Sequence, residues 1–119
     1  MRNKAREFFE EARLLAAAKK YDGATSRLYY SLYHIITAIF DEKGIKQSNL
    51  TSKHDPWRHD VVVFNSTLAG VDRADRKVPE AALELRIISD YKRFSVTAND
   101  VIILLPRVEK ILRSLGVKV

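Results

Sequence analysis

The chain has no cysteine, four glycines, three prolines and one methionine in 119 residues. Without cysteine it has neither a disulfide framework nor a thiolate metal site. Scarce glycine and proline leave few forced breaks, and no segment alternates at period two for long, so helix is the expected element. No run approaches about 18 uncharged apolar residues, so neither a transmembrane span nor a membrane partner is expected. The opening "MRNKAREFFEEARLL" is charged throughout and interrupted by acids, unlike a secretory leader. Cytoplasm is the expected compartment.

Basic charge, in contrast, is abundant. Twenty-one Lys and Arg outweigh fifteen Asp and Glu, a net +6 that favours anionic partners by long-range attraction. Nucleic acid is the leading partner class, and plain solvated surface charge is an equally weighted reading. Hydrophobic content of 46% in a chain of this length suffices for one domain, residues 1–119, to bury a core without staples.

Periodicity divides the chain into about five helices. The first is expected over Lys4–Lys19, with Asn3 as N-cap and Phe8, Ala12, Leu15 and Ala16 as its buried stripe beside Phe9. "YDG", residues 21–23, reads as a turn with Asp22 capping a second helix over Ala24–Lys43, which Gly44 stops. Residues 45–54 read as a surface loop. Asp55-Pro56 starts a third helix to Leu68, stopped by Gly70. Pro79 opens a fourth to about Tyr91. Thr97 and Asp100 resemble a capping box ahead of a last helix, Ala98–Leu115, which Pro106 should kink and Gly116 ends. The fold class is all-α, an up-and-down bundle of four to five helices.

At 100° per residue, the second helix shows two faces. Leu28, Leu32, Ile35 and Ile39 form a narrow core stripe flanked by Tyr29, Ile36, Tyr33 and Phe40. Another face reads Ala24, Arg27, Ser31, His34, Ala38, Asp41, with Tyr30 beside it. Arg27 and His34, seven residues apart, lie within about 20° of each other, two turns apart along the axis. This face suits a helix packed inside the monomer, with Arg27 paired to an acid. It equally suits a cleft or subunit interface where two such faces meet.

The stretch "SRLYYSLYHIITAIF" resembles the signature helix of HEPN domains, with an Arg, two aromatics and a His near its end. "EEARLLAAAKKYDGATSR" is similar to the family's opening helix and turn, "SKHDPWRHDVVVFNSTL" to its loop histidine and third helix, and "LRIISDYKRFSVTANDV" to its Arg, Asp-Tyr break and last helix. The resemblance covers nearly the whole chain in order. It implies a helical homodimer, often encoded beside a minimal nucleotidyltransferase as a toxin–antitoxin pair. It further implies an Arg-x4-6-His motif, shared across the dimer interface, in metal-independent endoribonucleases; Arg27 and His34 match it at its longest spacing.

That chemistry fits the residue types. RNA supplies its own 2′-hydroxyl nucleophile, so a cut needs a proton shuttle and a phosphate clamp, with no metal or other cofactor implied. His34 suits the first task and Arg27 the second. Tyr30, Ser31, His54, Arg86, Lys92 and Arg93 are the further candidates for contact with RNA or a nucleotide. Each also has a structural reading. His54 could cap a helix; His54 and His59, five residues apart, do not form a metal pair; Trp57 reads as a packing anchor. Arg86, Asp90 and Tyr91 read first as an intrahelical ion pair plus a core tyrosine, and alternatively as part of the Arg27 cleft. Two further functional classes stay open: a non-catalytic subunit that binds a nucleotide or a minimal nucleotidyltransferase, and a purely structural helical module.

Overall fold

The computed structural model describes residues 2–46, 59–91 and 95–119. Its order is α1 (Arg2–Ala17), α2 (Tyr21–Glu42), α3 (His59–Phe64), 3-10 turns at Ser66–Ala69 and Arg73–Asp75, α4 (Lys77–Tyr91) and α5 (Ala98–Ser114). No strand occurs among the described residues. The fold is an all-α helical bundle, as the periodicity predicts.

The bundle is organised around α2. Its apolar stripe is the core: Leu28, Leu32, Ile35, Ile36, Tyr29 and Phe40 are wholly buried, and Ile39 nearly so. Burying each side chain of that size stabilises by roughly 1.5–3 kcal/mol, which outweighs any local propensity of this helix. Small residues on the other side, Ala24, Ser31 and Ala38, are buried too. They let neighbouring helices approach closely, and α2 packs most extensively on α1, then on α4 and α5.

Several boundaries differ from expectation for identifiable reasons. The break between α1 and α2 falls at Lys19, which adopts the left-handed φ of 61°. Lys20 is then the N-cap, without a side-chain bond, and "YDG" is already helical. Asp22 therefore does not cap α2; its carboxylate accepts from the Val96 N–H at 3.1 Å and ties the start of α2 to the approach of α5. Asn3 lies inside α1 and is not its cap. The buried stripe of α1 is Ala5, Phe9 and Ala12, which turns Phe8 to the edge of the core. After Phe64 the chain tightens into a 3-10 turn with Ser66 buried, and ends at Gly70 with φ 103°. α4 begins at Lys77, so Pro79 sits in its first turn, where its missing N–H has no intrahelical partner to lose.

Other signals form as read. Thr97 and Asp100 make a reciprocal capping box, with Thr97 Oγ1 accepting from the Asp100 N–H and Asp100 Oδ2 accepting from the Thr97 N–H at 3.0 Å. Gly44 and Gly116 take left-handed conformations just past α2 and α5. The helix α5 continues through Pro106.

Candidate functional site

Two residues of α1 determine how the polar face of α2 is presented. Phe8 and Glu11, one turn apart, reach Arg27 and His34 from the neighbouring helix. Glu11 Oε2 accepts from Arg27 Nε at 2.8 Å. Both side chains of that pair are well exposed, so the link is one that competing anions can displace. Phe8 lies flat on the His34 ring, with centroids 5.2 Å apart and planes within 7°.

The ring of His34 has further aromatic neighbours on its own helix. Tyr33 meets it edge-on at 5.8 Å, and Tyr30 is tilted at 6.4 Å. Phe8 also contacts Tyr30, at 5.8 Å, and carries the Lys4 ammonium 5.5 Å over its ring. Burial in this aromatic setting pushes the His34 imidazole below its ordinary pKa, and the positive charge of Lys4 pushes the same way. The result is a half-buried histidine whose neutral form is favoured over its charged one.

Arg86 approaches the same aromatics from α4. Its guanidinium carbon is 5.2 Å from the Tyr30 ring centre and 5.7 Å from that of Tyr29. Its Nε is 3.4 Å from Asp90 Oδ2, the expected i, i+4 pair, yet is fully buried without a hydrogen-bond partner. A cation stacked on tyrosine faces with an unmet donor is strongly held yet incompletely solvated.

The structure therefore brings Arg27, Tyr30 and His34 onto one side of α2 and connects Arg86 to them through Tyr30. Ser31 is not presented there: it is wholly buried, and its hydroxyl donates to the Leu28 carbonyl at 2.7 Å. His54, Lys92 and Arg93 lie outside the described residues, as does Trp57. Phe8, Glu11 and Lys4 are the neighbours that sequence reasoning missed. Their signal is the one-turn spacing along the edge of α1, which becomes readable only once the α1–α2 register is known. Among the described residues, no group of three His, Asp or Glu is placed to hold a metal ion, and no helix is long and apolar enough to cross a membrane.

Helical topology and this polar face on α2 define the class, and comparison names it. The HEPN domain family model matches residues 1–118, so the chain belongs to the HEPN domain family. No curated protein and no solved structure matches the chain.

Proposed function

We propose that this HEPN protein, one helical domain over residues 1–119, is a metal-independent endoribonuclease of the cytoplasm, the toxin of a toxin–antitoxin pair. Its α2 faces meet across a homodimer. The observation that carries the reading is His34, half-buried under Phe8 on the same side of α2 as Arg27, with burial lowering its pKa. A neutral imidazole is the form that accepts the proton of an RNA 2′-hydroxyl. The freed oxygen attacks the adjacent phosphorus, the bond to the 5′-oxygen breaks, and an imidazolium returns a proton to that leaving oxygen. The products are a 2′,3′-cyclic phosphate and a free 5′-hydroxyl. Arg27 leaves Glu11 for the phosphate and balances the charge that develops on its oxygens. Tyr30 and Arg86 supply a stacking face and a further cation beside it, with His54, Lys92 and Arg93 as additional RNA contacts.

The test is cleavage of RNA by the purified chain in EDTA. Substituting His34→Ala should lower the rate by roughly a hundred- to ten-thousand-fold, the usual contribution of a general acid–base group. Equal cleavage by a folded His34→Ala chain would end the reading.

One observation favours a second reading. The Arg27–Glu11 ion pair already occupies the Arg27 guanidinium within the single chain, as a non-catalytic role of that arginine would. On that basis the chain is a non-catalytic subunit that binds a nucleotide or a minimal nucleotidyltransferase. Co-purification with such a partner, without RNA cleavage, would favour it.

A further inference from the structure

The cations of α1 are not treated alike. Arg2 pairs with Glu42 at 2.6 Å, Arg6 with Glu10 at 3.0 Å and Arg13 with Glu109 at 2.9 Å, so each arginine of the helix meets a carboxylate. Lys4 is exposed and makes no ion pair among the described residues, although Glu7 lies one turn away on the same helix. Its ammonium rests instead on Phe8, 5.5 Å from the ring centre, and Phe8 is the ring stacked on His34. An exposed ammonium on an aromatic face is held in place while its N–H donors stay open to an anion.

The register of α1 on α2 decides where this cation stands. Glu11 meets Arg27, Phe8 meets His34 and Arg2 meets Glu42, so the two helices run antiparallel. Lys4, Phe8 and Glu11 follow one another at i, i+4 and i+7 along one edge of α1. Lys4 therefore lies beyond His34 from Arg27, and the imidazole stands between two cations. Lys4 and Glu11, which marks the level of Arg27, are about 10.5 Å apart along the axis of α1, within the span of consecutive phosphates held by two long side chains.

We propose that Lys4 binds the phosphate adjacent to the one that Arg27 holds, so that the seam between α1 and α2 takes an RNA strand extended past the cut. This rests on the nuclease reading above and adds a subsite to it. The division of labour suits the two side chains: a planar guanidinium for the reacting phosphate, a compact point charge for a phosphate that does not react. In the free chain, the charge of Lys4 makes a charged His34 less favourable. A phosphate on Lys4 offsets that effect and favours the imidazolium that must return a proton to the leaving oxygen.

The experiment compares wild type, Lys4→Gln and Lys4→Arg as full chains. The substrates are a dinucleoside monophosphate, which has one phosphate, and the two trinucleotides that extend it on either side. Lys4→Gln should lower kcat/KM on one trinucleotide about tenfold, the usual worth of a charged hydrogen bond, and far less on the dinucleotide. Lys4→Arg should restore it. An influence of Lys4 through His34 alone moves all three substrates together, so equal losses would overturn the proposal. A second measurement needs no cleavage: fluorescence anisotropy of a labelled 2′-O-methyl oligonucleotide, which cannot be cut, over a salt series. Lys4→Gln should make the logarithmic salt dependence shallower by roughly 0.7, one phosphate contact, and equal slopes would overturn the proposal. A wild-type chain that cuts nothing while Lys4→Gln still changes the slope would sink the nuclease reading and leave the Lys4 subsite standing. Cleavage with equal losses would do the reverse.

Discussion

Phe8 and His34 form a parallel stack across the α1–α2 contact, with ring planes within 7° and centroids 5.2 Å apart. The stack covers one face of the imidazole and withdraws it from water, while Lys4 adds positive charge nearby. A residue of α1 thus determines the protonation behaviour of a residue of α2.

This relationship gives stability a defined dependence on pH. The folded chain holds the His34 pKa below its ordinary 6.5, so the unfolded chain takes up that proton first. The His34 contribution is present above about pH 6.5 and is lost as pH falls through that value toward the depressed folded one. Glu42 acts further into acid. The Arg2 hydrogen bond lowers its pKa, so its small contribution disappears as pH falls below the ordinary carboxylate value. Urea denaturation of wild type and Phe8→Ala across pH 6.5 separates the two groups. Phe8→Ala should lose about 0.5–1.5 kcal/mol from the ring pair and show a flatter pH profile. Its His34 resonance should titrate closer to the ordinary value by NMR.

Glu11 holds Arg27 in the free chain, and releasing it makes a second prediction. Both groups are largely exposed, so Glu11→Gln should cost only about 0.2–1 kcal/mol of stability. The freed guanidinium should raise affinity for single-stranded RNA, whereas Arg27→Gln should lower it and make the logarithmic salt dependence shallower by roughly 0.7 than in wild type, the value for one phosphate contact. Fluorescence anisotropy over a salt series measures both. Identical slopes would mean that Arg27 does not reach phosphate.

Legibility in the sequence follows the range of each interaction. The core of α2 was readable because Leu28, Leu32, Ile35 and Ile39 repeat at the helical period, and burial of that stripe decides where the helix lies. The Thr97–Asp100 box was readable because donor and acceptor are three residues apart. The turn at Lys19 was not, because lysine carries no turn preference; the left-handed residue there ends α1 and lets the Lys20 N–H donate to the Leu15 carbonyl at 2.8 Å. Phe8 and Glu11 reach α2 from 26 and 16 residues away. No local pattern marks such a pairing. The alignment of Arg27 with His34 was legible, and the stack and ion pair that govern their chemistry were not.

Core and surface positions should separate sharply. Leu32 is wholly buried at the centre of α2, so Leu32→Ala should cost about 2–5 kcal/mol through lost transfer energy and the cavity left behind. Leu14, 71% exposed on α1, should tolerate alanine within about 0.5 kcal/mol. Urea unfolding followed by circular dichroism measures both, and comparable losses at the two sites would contradict the placement of the core.

Arg86 is the position where a structural role and a binding role predict opposite results. Its Nε is buried without a hydrogen bond and 3.4 Å from Asp90, while its guanidinium lies over Tyr29 and Tyr30. Methionine keeps much of the length and apolar contact but removes the unmet donor. That relieves a cost of about 1–3 kcal/mol and forfeits a cation–π attraction of about 0.5–2 kcal/mol. The two nearly offset, so Arg86→Met should leave the unfolding midpoint almost unchanged. RNA affinity should fall, with a shallower salt dependence, because a cation beside Tyr30 is gone. If instead Arg86 serves only to balance Asp90 within the fold, Arg86→Met destabilises the chain and the folded fraction binds RNA as wild type does. Denaturation and anisotropy on the same preparation distinguish the two, since one moves stability without affinity and the other affinity without stability.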